Sequence, residues 1–441
     1  MIDVKFGRKF DLLLSTLMVA LVLPLSYFRT AMLGQQPDGA DLIATLATTL
    51  LISQFATSIC IFGTPLSYSR FYPTMNKAKR AWLANYIFRI SLALMLFGFF
   101  LTLFSYIFNF KDAVAYKSLS QSTVLLLVLA YFSLSGFLEI YAQRLAGYEK
   151  NLVYQLYVNH QVFSLSAILF CLWLFGLNVS VDSLLVVLVL IKIMVLLLVL
   201  SNDPLGKSEL VDVIKPEMEE IRSFLRYSYF SGVISFVYMR IDQIYILLFF
   251  DKKSLAGYFV SVTIAQLVTF LPKQMSHVIL RYFVKIKGQD EYRRYIVVGG
   301  LTIGLSVFVF TLIYGLNELI LPFFGSWAAS YSEILVLLSL VGLLGCLGPV
   351  NSMYSLAKSE ARLHFFNSMA LILVQVFSIA LLAPLYGIKG LIAAKALATL
   401  SGQLGLTYIV SKTLGNSAWF HQSIIFIFVF LIYFLVYGAE L

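Results

Sequence analysis

Long uninterrupted apolar runs constrain this chain more than any other feature of its sequence. They recur along all 441 residues, of which 60% are hydrophobic and only 12% are charged. A helix of about 20 apolar residues crosses the hydrocarbon core of a bilayer. The runs do not alternate between apolar and polar residues, so they cannot be the strands of a closed barrel, and helices are the remaining solution in lipid. The sequence therefore predicts an all-α polytopic membrane protein.

Twelve transmembrane helices are predicted, with a thirteenth left open. The first run is too long for a signal peptide and is expected to be retained. The segment 423–438 is short for a span and either crosses as a thirteenth or lies partly in the interface. The predicted spans are 11–34, 42–66, 82–107, 121–143, 154–178, 181–202, 226–250, 256–280, 295–322, 332–357, 364–385 and 388–411.

The basic residues indicate the orientation of the chain. With the N-terminus in the cytoplasm, 21 of the 32 lysines and arginines fall in inner segments and 5 in outer loops. This is the positive-inside distribution. The net charge of +10 therefore reflects orientation rather than nucleic-acid binding, and no nucleic-acid partner is expected. Some of these residues are expected to attract anionic lipid headgroups at the inner leaflet.

An internal repeat divides the chain into two halves. A shift of 211 positions places Arg29 on Arg240, Gly176 on Gly387, and six spans on six. Repeats with an even number of spans give two parallel lobes, with a substrate path between them. The predicted organisation is a six-helix lobe at 1–202, a cytoplasmic linker at 203–225, a second six-helix lobe at 226–412 and an extra hydrophobic segment at 413–441. Within the linker, "PEMEEIRSFLRYS" predicts a short amphipathic helix.

Basic residues inside the spans point to function, because a charge in the bilayer costs several kcal/mol and is rarely kept without a use. Near the ends of spans, Arg89 and Lys395 are expected either to snorkel to the interface or to form structural ion pairs. Deeper residues are predicted to face a water-filled cavity, with structural ion pairing as the alternative. The candidate substrate-binding residues are Arg29, Arg240, Lys192 and Lys273.

Asp242 is the clear acidic residue within a span. It is predicted either to hold Arg29 or Arg240 in place or to bind a coupling cation or proton. Because basic residues outnumber acidic ones, a path through the lobes would be cationic and would select an anion. The three cysteines and four histidines do not form a metal-ligand spacing. No cofactor, metal or enzymatic activity is expected, and coupling to H⁺ or Na⁺ is left open.

Helix-breaking residues lie where a carrier would need them. Pro24 precedes Arg29 by about one turn, and Pro272 immediately precedes Lys273. The stretch "GLLGCLGPVNSM" places three glycines and Pro349 within one span. An interrupted helix leaves backbone N–H and C=O groups without their usual partners. Within a membrane such groups are tolerated where they are buried in protein or line a water-filled cavity. Close helix packing through small residues is the alternative for the glycines.

Two stretches carry a resemblance to a known family. The first, "MRIDQIYILLFFDKKSLAGYFVSVTIAQLVTFLPKQMS", resembles spans 7 and 8 of Wzx-type flippases of lipid-linked oligosaccharides, through Arg240, Asp242, Gly257-Tyr258 and Pro272. The second, "SLAKSEARLHFFNSMALILVQVFSIALLAPLYGIKGLIAAKALA", resembles the same family's spans 10–12. The family belongs to the multidrug/oligosaccharidyl-lipid/polysaccharide exporter superfamily.

The resemblance implies two six-helix lobes that alternate between inward-open and outward-open states. It implies transport of an undecaprenyl-diphosphate-linked repeat unit, such as O-antigen, to the outer leaflet of the bacterial inner membrane. Polysaccharide polymerase and chain-length proteins would be partners, together with membrane lipids. The cationic path independently suits a diphosphate.

Three alternatives belong to other functions. A drug/cation antiporter of the same superfamily would need deep acidic residues in its first lobe. A lipid II flippase usually has two more spans. A membrane-embedded polymerase usually carries a large outer loop, and every predicted outer loop here is short.

Overall fold

The chain is nearly all helical in the computed structural model, and its described residues contain no β-strand. The first half contributes α1 (Arg8–Gly34), α2 (Gly39–Cys60), α3 (Lys77–Ser105), α4 (Gln121–Gly147), α5 (His160–Leu174) and α6 (Val181–Asn202). The structure describes residues 8–60, 67, 70–71, 75–105, 121–147, 156–157, 159–202, 215–274, 276–285, 290–358, 361–415, 419–420 and 422–429.

The second half begins with a long helix and contains several short ones. Its helices are α7 (Lys215–Phe249), α8 (Lys252–Ala265), α9 (Leu267–Gln274), α10 (Ser276–Lys285), α11 (Asp290–Ile320), α12 (Ser332–Leu344), α13 (Gly348–Ala357) and α14 (Ala361–Leu414). Two 3₁₀ segments, Leu321–Phe324 and Ser326–Tyr331, connect α11 to α12.

Two compact units emerge from the internal contacts. The first comprises Met1–Tyr229, Leu247–Ala256 and Phe323–Trp327. The second comprises Phe230–Ile246, Gly257–Pro322 and Ala328–Leu441. The division into lobes and linker at the predicted boundaries stays a prediction.

Seven helical segments of the described residues are long and apolar enough to cross a membrane, as a polytopic membrane protein requires. They are Gly39–Ser58, Trp82–Phe100, Val181–Leu198, Met218–Phe249, Glu291–Phe324, Ser326–Ala357 and Arg362–Lys412. Two shorter apolar helices are Leu126–Tyr141 and His160–Leu174. The count of twelve spans and the internal repeat stay predictions. The predicted segment 423–438 lies only in part within the described residues, which end at 429.

The first unit is built around α4, which packs against α2, α3 and α6, while α1 packs against α2 and α5. An apolar cluster of Ala56, Met95, Phe132 and Ile140 fills the interface between α2, α3 and α4. Between α1 and α5, the Ser166 hydroxyl donates to the Leu25 carbonyl at 3.0 Å. This packing brings one face of each of α1, α2, α4, α5 and α6 into the same bundle.

Helix breaks occur in the second unit, and side chains satisfy the backbone there. The predicted span 256–280 is divided into α8, α9 and α10. Pro272 lies inside α9 and has no N–H to offer the carbonyl four residues earlier, that of Val268. The Ser306 hydroxyl of α11 donates to that carbonyl at 2.7 Å. A hydroxyl of a neighbouring helix thus replaces the hydrogen bond that the proline removes.

A second break occurs in the predicted span 332–357. This span ends as α12 at Leu344 and resumes as α13 at Gly348, so the predicted interruption at the glycines is confirmed. Pro349 cannot donate to the Gly345 carbonyl, which accepts from the Gly348 N–H at 3.0 Å and from Gln403 Nε2 at 3.3 Å. In contrast, Pro24 lies within the continuous helix α1 and does not end it.

Positive φ angles occur at the glycines that separate consecutive predicted spans. Gly387 has φ 60° and ψ −133° and divides α14 into two helices. Gly176, its counterpart in the predicted repeat, has φ 65° between α5 and α6. Residues with a Cβ rarely adopt such angles, so both turns depend on glycine.

The predicted amphipathic linker helix is not a separate element. Instead α7 runs for 35 residues from Lys215, because Pro216 lies in the first turn, where a proline is tolerated. Arg70 holds the first turns of α7 in the first unit. Its guanidinium lies 3.4 Å from Glu220 and 4.5 Å from the ring centroid of Phe224.

Candidate functional site

Arg29 lies inside the first unit, near the C-terminal end of α1. Only 3% of its surface is exposed. Its Nη2 lies 3.4 Å from the Ser26 hydroxyl, one turn earlier on the same helix. Its Nε and Nη1 have no hydrogen-bond partner among the described residues. A guanidinium this deep is costly, so its retention requires an explanation beyond packing.

Lys192 approaches the same region from α6, and 3% of its surface is exposed. Its ammonium lies 4.6 Å from the ring centroid of Tyr131, within the range of a cation–π interaction. The Ser53 hydroxyl lies 3.5 Å from the same ammonium. Tyr131 also interacts electrostatically with Arg29, so one aromatic residue of α4 faces both cations.

Polar residues of three further helices complete this group. The Tyr131 hydroxyl donates to Gln161 Oε1 at 2.9 Å, and Gln161 Nε2 is left without a partner among the described residues. Ser53 donates to Ser135 at 3.1 Å, and Ser135 donates to the Tyr131 carbonyl at 2.6 Å. We call Arg29, Ser53, Tyr131, Gln161 and Lys192 the first-unit cluster.

Asp242 is the centre of a second group, in the second unit, and has no exposed surface. Its Oδ2 accepts from the Tyr258 hydroxyl and from the Lys395 ammonium, each at 2.5 Å. Its Oδ1 accepts from the Gln243 N–H at 2.9 Å. The ion-pair partner is therefore Lys395, for which the sequence left snorkelling and a structural ion pair open.

Arg240 and Lys273 lie close to this ion pair. Arg240 Nη1 donates to Gln243 Oε1 at 3.2 Å, and Asp242 acts electrostatically on the guanidinium. Lys273 lies on α9, is exposed, and interacts electrostatically with Lys395 and Arg240. We call Arg240, Asp242, Tyr258, Lys273 and Lys395 the second-unit cluster.

The predicted site residues thus separate into two groups, each within one unit. Arg29 and Lys192 share the first-unit cluster, and Arg240, Lys273 and Asp242 share the second-unit cluster. Arg89 lies outside both clusters and is exposed, and its explanation by snorkelling or ion pairing stays a prediction. Sequence reasoning missed Tyr131 and Gln161, because uncharged polar residues are common in membrane helices, and it named Tyr258 only as part of the family resemblance.

The chemistry of the two clusters suits binding rather than catalysis. Together they contain five basic residues and one acidic residue. Among the described residues, no group of three or more histidine, cysteine, aspartate or glutamate side chains could hold a metal ion. Guanidinium, ammonium, amide and hydroxyl groups are donors, and such a set attracts anions.

Sequence comparison gives no match for this chain, whereas structural comparison gives several. No model of a known protein family matches it, and no curated protein sequence does. A multidrug resistance MATE family transporter of the MOP superfamily, in an inward-facing conformation, aligns with a TM-score of 0.64 at 13% identity, covering 89% of this chain and 94% of the transporter. The lipid II flippase MurJ, in an inward closed conformation, aligns with a TM-score of 0.62 at 16% identity, covering 97% and 99%.

A third similar structure is a MOP superfamily transporter from Pyrococcus furiosus, described as having a binding pocket of reversed polarity. It aligns with a TM-score of 0.56 at 11% identity, covering 92% of this chain and 94% of its own. The chain has the fold of MOP superfamily transporters. At these identities the likeness concerns the fold, and the substrate must be argued from the site.

Proposed function

We propose that the chain is a flippase for a lipid-linked oligosaccharide. The substrate is an undecaprenyl-diphosphate-linked repeat unit of O-antigen or another surface polysaccharide, carried from the cytoplasmic to the outer leaflet of the bacterial inner membrane. Transport proceeds by alternating access, as expected for this fold. The diphosphate is bound by the basic residues Arg29, Arg240, Lys192 and Lys273.

The observation that carries the proposal is the pairing of the buried charges. Arg29 and Lys192 are buried and form no ion pair with an acidic side chain of the described residues, whereas Lys395 is paired with Asp242. Buried cations without an acid partner are costly, and an anionic substrate would offset that cost. A drug/cation antiporter would instead need deep acidic residues in its first unit, whereas Asp242, the one buried acidic residue among the described residues, lies in the second unit.

The membrane potential favours outward movement of such a substrate. The cell interior is negative, so each negative charge moving outward gains about 2.3 kcal/mol per 100 mV. A coupled cation is therefore not required for this direction. If H⁺ or Na⁺ does contribute, Asp242 is the proposed coupling residue, and Asp242→Asn would then remove the dependence of export on pH or sodium.

A second candidate is a lipid II flippase, favoured by the alignment of nearly the whole chain with MurJ. Lipid II also presents a diphosphate on a long isoprenoid, so the clusters suit both substrates. The two candidates differ in the pathway that fails when the protein is lost. Loss of a lipid II flippase blocks peptidoglycan synthesis, whereas loss of a repeat-unit flippase leaves it intact.

The test follows labelled sugar into lipid-linked intermediates in cells that lack the gene. A repeat-unit flippase predicts that a single complete repeat unit accumulates on its lipid, facing the cytoplasm. Normal flipping of single units without chain lengthening would indicate a polymerase and exclude the proposal. Accumulation of lipid II, with normal surface polysaccharide, would favour the second candidate.

A further inference from the structure

Several hydrogen-bond donors of the first-unit cluster lack acceptors. Arg29 Nε, Arg29 Nη1 and Gln161 Nε2 are buried and unpartnered among the described residues. Buried donors in native proteins are nearly always hydrogen-bonded, because a buried donor without an acceptor destabilises the folded state. Three such donors in one cluster indicate that something accepts from them.

Charge leads to the same conclusion. Arg29 and Lys192 are each 3% exposed, and neither has an acidic atom within ion-pair distance among the described residues. Glu139 acts electrostatically on Lys192 but forms no ion pair with it. In the second-unit cluster, by contrast, the Asp242 carboxylate directly contacts Lys395. The first-unit cluster has two cations and no counter-ion of its own in contact with them.

Burial limits the size of the missing group. Arg29, Lys192, Gln161, Ser53 and Tyr131 all have exposed fractions below 10%. Side chains this enclosed exclude a chain of sugars, so the acceptor must be compact, of the size of a halide ion or a single phosphate group. Planar guanidinium donors and a nearby ammonium are the groups that bind such anions.

We propose that the first unit alone contains an anion site between Arg29 and Lys192, for one compact anion of the size of chloride or a phosphate group. Gln161 Nε2 completes its donor set, and the Tyr131 hydroxyl orients that amide. The anion has two sources, a free inorganic ion or one phosphate group within the diphosphate of the lipid-linked substrate. Binding of a substrate phosphate rests on the proposed function, whereas binding of a free inorganic ion does not.

Thermal unfolding of the purified full-length chain in detergent tests the site. The probes are sodium chloride, sodium phosphate and farnesyl diphosphate, each compared with sodium gluconate at constant ionic strength. Binding to the folded state raises Tm, on the order of 3 °C at a ligand concentration about 100-fold above Kd. A shift with chloride or phosphate indicates a free ion, and a shift with farnesyl diphosphate alone indicates the substrate phosphate.

Two variants and one control locate the effect. Arg29→Gln and Lys192→Met each remove one charge and should abolish the anion-dependent shift. Both remove a buried cation, so their Tm in gluconate should equal or exceed that of the wild type. Arg89→Gln, which removes an exposed cation within a span, should keep the full shift. Should no probe raise Tm, or should both variants keep the shift, the site does not exist.

An export assay, compared with the anion-binding assay, distinguishes failure of the anion site from failure of the proposed function. If Arg29→Gln stops export of repeat units but no anion binds, the proposed function stands and the anion site is refuted. If anions bind but cells lacking the gene still flip complete units normally, the site stands and the proposed function is refuted.

Discussion

A carboxylate inside an apolar bundle is stable only where hydrogen-bond donors surround it, as they surround Asp242. Replacing Asp242 is therefore expected to destabilise the protein. Asp242→Asn leaves the Lys395 ammonium buried beside a neutral amide, so we expect stability to fall by about 3–5 kcal/mol. Lys395→Met combined with Asp242→Asn replaces the pair with neutral groups and should recover most of that loss. Thermal unfolding of both single variants and the double variant measures the coupling. A double variant no more stable than Asp242→Asn would show that the ion pair is not the source of the loss.

Arg240 offers the sharpest test of the cationic residues. Arg240→Ala should abolish export while the protein stays in the membrane, because the proposed diphosphate contact is lost. Arg240→Lys keeps the charge without the planar donors and should retain part of the activity. Export of labelled repeat units measures both variants, with membrane content determined by immunoblot. Arg89→Ala, outside both clusters, should export normally; normal export by Arg240→Ala would remove Arg240 from the proposed site.

At the residue scale the sequence located charges well and their partners poorly. Arg29, Lys192 and Asp242 stood out because a charge interrupts an otherwise apolar run. Lys395 follows the turn at Gly387 by only about two helical turns, so its position alone was compatible with snorkelling as well as with an ion pair. Its partner is 153 positions away in the sequence, so no local pattern could reveal the pair. Tyr131 carries no charge and gave no signal.

Among the elements, the glycine turns make the clearest prediction. Gly387→Ala and Gly176→Ala should each cost about 1–2 kcal/mol, because a Cβ disfavours positive φ. Gly304→Ala is the matched control: an added Cβ meets nothing within 4 Å inside α11, so helix propensity should make it neutral or stabilising. Urea or thermal unfolding measures the stability of the three variants relative to the wild type. Equal effects at all three positions would contradict the conformational argument.

The helix breaks were only partly readable from the sequence. Prolines and glycines marked α9 and α13, since a missing N–H has the same consequence in any fold. The sequence did not reveal which side chains hydrogen-bond to the backbone at these breaks. Ser306 and Gln403 donate to carbonyls there from other helices. Pro24 carried the same signal and did not end α1. Whether a proline interrupts a helix depends on neighbours that only the tertiary structure supplies.

For the whole molecule, the distribution of basic residues predicts a cytoplasmic N-terminus. At 35 residues and about 1.5 Å per residue, α7 is about 50 Å long and exceeds the roughly 30 Å hydrocarbon core. In a chain whose native cysteines are replaced, Lys253→Cys, in the first turn of α8 just beyond the C-terminal end of α7, should react with an impermeant thiol reagent in intact cells. Glu219→Cys, near the other end of α7, should react only after permeabilisation. The opposite labelling pattern would indicate the inverted topology, with the N-terminus outside.

The spacing of the paired residues along the chain has a consequence for biosynthesis. Asp242 is synthesised 153 residues before Lys395, its ion-pair partner. By comparison, Tyr131 is synthesised only 30 residues before its hydrogen-bond partner Gln161. At about 5–20 residues per second, Asp242 waits on the order of 10–30 s for its partner. Through that interval an unmatched carboxylate, which disfavours insertion by about 3 kcal/mol, must be retained near the translocon or shielded by an insertase. Ribosome-stalled chains ending between α7 and α14 should therefore crosslink to the insertion machinery through α7, and chains that include Lys395 should be released.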